Sequence, residues 1–92
     1  MAVHRHELSM PDLGLDDRPI TVSLWLVDVG DEVVCGDRVV ELSADGVTVD
    51  LPAPASGLLV ETLVGEDEPL TAGQVLAVIE SAEEEVADLA RG

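Results

Sequence analysis

The chain of 92 residues repeats one order of apolar runs and turns in its two halves. Each half contains a strand-like run, an acidic turn, a short apolar run, a glycine-containing turn and a second strand-like run. Leu26 and Leu63 correspond with a one-residue slip, and four further apolar positions recur 36 residues later. These are Val34 with Leu70, Val39 with Val75, Val40 with Leu76, and Leu42 with Val78. Neither half could bury its apolar face alone, so the repeat predicts two similar halves that close on each other as a sandwich.

The core of such a sandwich must be built from aliphatic side chains. Hydrophobic residues make up 47% of the chain and aromatic residues 1%, with Trp25 as the single tryptophan. Valine-rich runs favour strands, because branched side chains pack well on a pleated surface. The length allows one small domain, which buries roughly 60–65% of its extended-chain surface. The composition therefore predicts one all-β domain with Trp25 as an anchor in the core or at its rim.

Turn residues divide the chain into short strands. The segment 11–19 contains two prolines, a glycine and three aspartates, which predicts a surface loop. The segment 52–57 predicts a rigid crossover, because its prolines withhold ladder hydrogen bonds. The predicted strands are Glu7–Met10, Ile20–Val29, Val33–Val34, Arg38–Ser43, Val47–Leu51, Leu58–Val64, a short piece at Leu70, and Val75–Glu80.

The dipeptide Asp45-Gly46 lies between two of these runs and gives the strongest short hairpin signal in the chain. A two-residue type I′ turn needs positive φ at both central residues, and Asp-Gly adopts it with little strain. A hairpin with Asp45 and Gly46 at its tip is therefore predicted.

The two ends of the chain differ from the middle. Residues 1–6 are polar and are predicted to be frayed, so the folded domain is expected to cover residues 7–80. Ser81 and Glu84 have capping-box spacing, which favours a short helix over Ala82–Ala90. Because so short a helix is marginal, residues 81–92 are predicted to be either that helix or an acidic tail.

The formal charge is −16, and all four cationic side chains are arginines. Such a charge repels phosphate backbones and anionic lipid, which argues against nucleic-acid binding and membrane-surface binding. Solubility and docking on a basic partner both explain it and both stay open. The N-terminus has no apolar core of a signal peptide, and no run approaches the ~20 residues of a membrane span, so a cytoplasmic location is predicted.

Few side chains offer chemistry. Cys35 is the single cysteine, so an internal disulfide is excluded, and its position beside a glycine in a turn predicts no catalytic role. His4 and His6 could share a metal with Glu7, although chance is the favoured explanation so near a terminus. No metal site is therefore expected.

The acidic runs Asp16-Asp17 and Glu66–Glu68 are predicted to be solvated turns rather than acid–base pairs, since such pairs need burial to shift their pKa values. No Ser/His/Asp set, P-loop or GxGxxG occurs in the sequence. The chain is therefore not expected to be an enzyme in its own right.

Several segments in their order and spacing resemble one known family. From Met10 to Glu80 the chain is similar to the lipoyl domain of 2-oxo acid dehydrogenase acyltransferases and, more distantly, to biotin carrier domains and glycine-cleavage carrier proteins. The resemblance implies a flattened barrel-sandwich hybrid of two four-stranded antiparallel sheets with quasi-twofold symmetry. The segments that carry it are Met10–Gly14, Leu24–Leu26, Val29–Asp31, Gly36-Asp37, Val39–Leu42, Pro52–Gly57 and Gly73–Glu80.

The hairpin carries the main departure from the family. Family members read Asp-Lys-Ala or Asp-Lys-Val there, and a ligase joins lipoate to the lysine amine at the exposed tip. In this chain Asp45 and Val47 match that pattern, Gly46 stands at the lysine position, and no lysine occurs anywhere in the 92 residues. The Met-Lys-Met pattern of biotin carriers is absent as well. The prediction is that the chain attaches neither lipoate nor biotin.

Three functions follow from the resemblance without the lysine. The favoured one is an unmodified protein-binding or scaffolding module that docks on a dehydrogenase, acyltransferase or carboxylase component, with natural loss of the lysine having relaxed the turn by roughly 0.5–1 kcal/mol. The second is a carrier domain in which Gly46 arose through engineering or error. The third is an adaptor-type hairpin domain of an efflux or secretion protein, ranked last because the chain has no coiled-coil insertion and no signal or membrane segment.

Overall fold

A computed structural model describes residues 2–14 and 19–83, and within those ranges it contains eight β-strands and no helix. One sheet has the strand order β1-β8-β6-β3 and the other has the order β5-β4-β2-β7, with every neighbouring pair antiparallel. The prediction of two four-stranded antiparallel sheets is confirmed. The strands are β1 (Ala2–Ser9), β2 (Ile20–Trp25), β3 (Glu32–Val33), β4 (Arg38–Ala44), β5 (Val47–Pro52), β6 (Gly57–Thr62), β7 (Pro69–Leu70) and β8 (Val75–Glu83).

The two sheets are related by quasi-twofold symmetry. Replacing each strand by the one four places away turns the order β1-β8-β6-β3 into β5-β4-β2-β7. The register gives the spacing: Val22 pairs with Leu42 in one half, and Leu59 pairs with Ile79 in the other. Both partners are shifted by 37 residues, so the predicted interval of 36 is wrong by one.

The error of one residue in the predicted interval has a simple cause. A strand presents alternate side chains to one face, so a one-residue slip normally exposes an apolar set. Next to an irregularity in the β4–β5 register, however, the neighbouring Val39 and Val40 of β4 are both fully buried. Apolar residues therefore match apolar residues at an interval of 36 as well as at 37. Leu26 and Leu63, which are 37 residues apart, are therefore structural equivalents.

The same interval governs the backbone hydrogen bonds outside the strands. The Gly30 N–H donates to the Leu59 carbonyl at 2.8 Å, and the Asp67 N–H donates to the Val22 carbonyl at 2.7 Å. Each of these bonds joins one half of the chain to the other. Neither half could satisfy these backbone groups alone, which agrees with the inference that the halves close on each other.

The core lies between the sheets and is apolar, with no polar or charged side chain buried among the described residues. Trp25 packs against the edge of this core, and its Nε1–H donates to the Val64 carbonyl at 3.0 Å. This confirms its predicted role as an anchor. The largest fully buried side chains come from both sheets: Val22, Val39, Val40, Leu42, Leu59, Leu76 and Ile79.

Both ends of the described chain extend farther into the sheet than predicted. β1 begins at Ala2 rather than Glu7, and it pairs residue by residue with β8, with His4 opposite Ser81. For residues 2–6 the prediction of a frayed terminus is corrected, because alternate backbone groups of these residues bond to β8 in the ladder. β8 in turn continues to Glu83, so no helix begins at Ala82. The rest of the predicted helix or tail, residues 84–92, lies outside the described residues.

Two predicted strands are too long. β2 ends at Trp25 rather than Val29, because a turn follows in which the Asp31 carboxylate accepts the Asp28 N–H at 2.8 Å. β6 likewise ends at Thr62, before the equivalent turn at residues 65–68. The loop predicted over 11–19 is free of strand where it is described, and the acidic run at 16–17 lies outside the described residues. No helix in the described ranges is long and apolar enough to cross a membrane.

Candidate functional site

The β4–β5 hairpin holds the residue predicted to occupy the attachment position. Ala44 and Val47 form the last pair of the ladder, so Asp45 and Gly46 alone make the turn. Ala44 is 4% exposed, and Leu42 at the preceding inward position is 1% exposed. The β4 arm of the hairpin is therefore anchored in the core, while the turn and the start of β5 are exposed to solvent.

The backbone of the tip adopts the predicted conformation. Asp45 has a φ of 52° and Gly46 a φ of 83°, so positive φ at both central residues is confirmed. A Cβ atom added to Gly46 would meet nothing within 4 Å. A side chain at residue 46 would thus point into open space, and its cost would come from the left-handed backbone alone.

That cost can be measured with Gly46→Ala, which we expect to lower the free energy of unfolding by about 1 kcal/mol. Gly65→Ala is the control, since residue 65 has no positive φ and its Cβ would lie 3.9 Å from the nearest atom, Glu68 Cδ. Urea unfolding followed by circular dichroism compares the two. Equal stability of Gly46→Ala and wild type would contradict the strain expected for a non-glycine residue at this positive φ.

The chemistry of the tip is that of a carboxylate and a backbone. Attachment of lipoate or biotin forms an amide with a primary amine, and residue 46 offers neither an amine nor any other nucleophile. Val47, 55% exposed, adds an apolar surface beside the turn. Ile20 of β2 pairs with both Ala44 and Leu70, so the start of β2 lies next to this hairpin.

The other residues considered in the sequence do not form a second centre. The rings of His4 and His6 lie 6.4 Å apart on β1, and the Nε2 of His6 lies 3.0 Å from the Ser81 Oγ. Strand alternation directs Glu7 to the opposite face. Within residues 2–14 and 19–83 no three His, Cys, Asp or Glu side chains are placed to hold a metal.

Cys35 and the second acidic run lie at the surface. The Cys35 thiol is exposed and 3.8 Å from the Pro54 carbonyl, and its backbone N–H donates to the Ser56 Oγ at 2.8 Å. Glu66, Asp67 and Glu68 form an exposed turn, as predicted. In the part of the chain that the structure describes, the contacts of Cys35 and of this acidic turn provide no partner set for acid–base or nucleophilic chemistry.

The charge of the described surface is dominated by carboxylates. Arg5 lies 3.1 Å from Glu80 and 4.0 Å from Glu61, and Arg38 lies 3.3 Å from Asp50. Exposed pairs of this kind add little stability, typically about 0–1 kcal/mol. Their main effect is to occupy the two described arginines, which leaves the remaining surface acidic.

An apolar groove on the outer side of the β1-β8-β6-β3 sheet was not predicted from the sequence. It is lined by Val3, Val34 and Leu58, which are 62%, 62% and 40% exposed. Val3 was overlooked because the N-terminus was expected to be frayed. The available signal was the alternation of Val3, Arg5 and Glu7 with His4, His6 and Leu8.

Comparison with known proteins agrees with this architecture. The chain is 35% identical over 77 residues to the acetyltransferase component of the pyruvate dehydrogenase complex of Corynebacterium glutamicum, an alignment covering 84% of this chain and 11% of that protein. It is 36% identical over 84 residues to the acetyltransferase component of an acetoin cleaving system of Pseudomonas putida, covering 91% of this chain and 23% of that protein. The chain thus spans under a quarter of the length of either relative.

The fold also matches a solved structure. The solution structure of the lipoyl domain of the 2-oxoglutarate dehydrogenase complex from Azotobacter vinelandii superimposes with a TM-score of 0.67 and 20% identity, covering 85% of this chain and 98% of that one. The model of the biotin/lipoyl family, described as "Biotin-requiring enzyme", matches residues 6–79. This chain belongs to the biotin/lipoyl attachment domain family.

Proposed function

We propose that this chain is a lipoyl-type domain that carries no covalent cofactor and acts as a non-catalytic docking module. One observation carries the proposal: the hairpin retains its ladder and its exposed turn, but residue 46 is a glycine and the 92 residues contain no lysine. A lipoyl or biotinyl amide needs a lysine amine. The fold of a carrier domain is present without the lysine amine to which lipoate or biotin would be attached.

The proposed partners are protein components of an oxo acid dehydrogenase or carboxylase assembly in the cytoplasm. The relatives are components of a pyruvate dehydrogenase complex and an acetoin cleaving system, which supports this class of partner. The surplus of carboxylates supports docking on a basic surface and disfavours nucleic acid and anionic lipid.

The absence of a cofactor is tested by intact-mass spectrometry of the protein isolated from its own organism grown with lipoate and biotin. We expect a single mass equal to that of the polypeptide. An added lipoyl or biotinyl mass on any residue would contradict the proposal. Reading the coding sequence is the companion measurement, since a lysine codon at position 46 would make Gly46 an introduced change.

The docking function is tested by titrating the labelled domain with a purified dehydrogenase, acyltransferase or carboxylase component of the same organism. Saturable binding that weakens as salt is raised is the expected result, because the contact is electrostatic in part. Absence of binding to all three component types would overturn the docking role. It would not affect the proposed absence of a cofactor, which the intact-mass measurement tests separately.

A further inference from the structure

The apolar groove lies at the symmetry-related counterpart of the hairpin. Val3 pairs with Ala82 at the end of β1 and β8, and the quasi-twofold relation carries this pair onto Gly46 and Asp45. The groove is open to solvent, has a volume of about 550 Å³ and crosses the sheet from Val3 to Leu58 and Val34. The position that the β4–β5 turn occupies in one half of the domain is thus occupied in the other half by an apolar surface.

The charges along the groove are carboxylates. Glu32 and Glu80 line it, and Glu80 is paired with Arg5 at 3.1 Å, whereas Glu32 makes no ion pair with either described arginine. An occupant must therefore combine apolar side chains with positive charge. Three exposed apolar side chains beside a solvent-facing carboxylate define that requirement.

Two occupants from the chain itself fail this requirement. A second copy would bring the same two carboxylates against the groove, on molecules that each carry a formal charge of −16. The C-terminal residues 84–92 contain three acidic side chains and one arginine, so their sequence is also acidic. Like charges facing each other across an interface oppose association.

We propose that the groove binds a segment of a partner protein in which apolar residues alternate with lysine or arginine. The apolar side chains pack on Val3, Val34 and Leu58, and a cation of the segment pairs with Glu32. This inference rests on the proposed docking function and names its surface and the chemistry of its partner. The groove is formed by the sheet opposite the one that bears the hairpin, so the two surfaces can be tested separately.

The probe is a synthetic hexapeptide of alternating lysine and leucine, titrated into the whole chain and followed by amide chemical shifts. We expect the largest shifts at residues 32–34, 57–58 and 80–82. Val34→Ser and Leu58→Ser should each weaken binding about tenfold, the effect of removing one exposed apolar contact of this size. Leu24→Ser is the matched control, because Leu24 is 46% exposed on the other sheet, and it should leave the affinity unchanged.

Several results would contradict the proposed binding of a partner segment in the groove. A hexapeptide of alternating lysine and serine that binds equally well would reduce the interaction to bulk charge. Shifts centred on residues 45–47, or equal weakening by Leu24→Ser, would place the contact elsewhere. A dimer in sedimentation that Val34→Ser dissociates would assign the groove to a second copy.

The groove and the docking function fail in different ways. A dehydrogenase component that binds wild type and Val34→Ser equally well would remove the groove and leave the docking function standing. If the wild-type domain bound none of the dehydrogenase, acyltransferase or carboxylase components but still bound the peptide in the groove, only the proposed docking function would be contradicted.

Discussion

Gly46→Lys is expected to turn a domain without lysine into a substrate for lipoate ligase, with most molecules gaining one lipoyl group. A Cβ atom at residue 46 would meet nothing within 4 Å, so we expect the new amine to extend into solvent from the tip of the hairpin. The strain of a non-glycine residue at this φ costs about 1 kcal/mol, which a domain of ordinary stability tolerates. Incubation with ligase, ATP and lipoate followed by intact-mass spectrometry measures the result.

Two variants separate position from chemistry. Gly46→Arg has the same charge and similar length but no nucleophilic amine, so it should stay unmodified. Gly73→Lys places the amine in another open turn, where φ is 88° and an added Cβ also meets nothing within 4 Å. Modification of Gly73→Lys to the same extent would show that the ligase does not read the hairpin. An unmodified Gly46→Lys that is folded would mean that residue 46 is not the attachment position.

Gly57→Ala is expected to lower the free energy of unfolding by about 2–3 kcal/mol, the largest stability loss predicted for a single methyl group in this chain. A Cβ on Gly57 would clash with the Glu80 carbonyl oxygen and would lie 2.9 Å from its carbonyl carbon. These are backbone atoms of β8, so the clash is relieved only by moving one strand away from the other. The pairing of Gly57 with Val33 in β3 would be disturbed as well.

The measurement is urea unfolding of Gly57→Ala beside Gly65→Ala, which adds the same methyl group without crowding or positive φ. The control should stay within about 0.5 kcal/mol of wild type. If both variants lost the same stability, general loss of glycine rather than the close approach of β6 and β8 would be the cause. If neither did, the strands would have more room than the structure gives them.

The hairpin could be predicted because its signals are local. Asp45 and Gly46 favour positive φ by their own chemistry, and the runs on either side are apolar enough to pair with each other across two residues. The β content followed from the branched aliphatic side chains. The turn at Asp28–Asp31 was harder to see, because apolar Val27 and Val29 continue the run of β2 while the Asp31 carboxylate ends the strand by accepting a backbone N–H.

The remaining features depend on contacts between distant parts of the chain. β1 is paired with β8, more than sixty residues away, and only that partner orders Ala2–His6 and prolongs β8 to Glu83. The interval of 37 was hidden because the adjacent Val39 and Val40 are both buried beside the irregularity in the β4–β5 ladder. The groove arises where β1, β8, β6 and β3 lie side by side, and Val3, Val34 and Leu58 have no common pattern along the chain. Turn conformation is decided by a few neighbouring residues, whereas strand pairing and surface shape are decided by whichever remote segments share hydrogen bonds and a core.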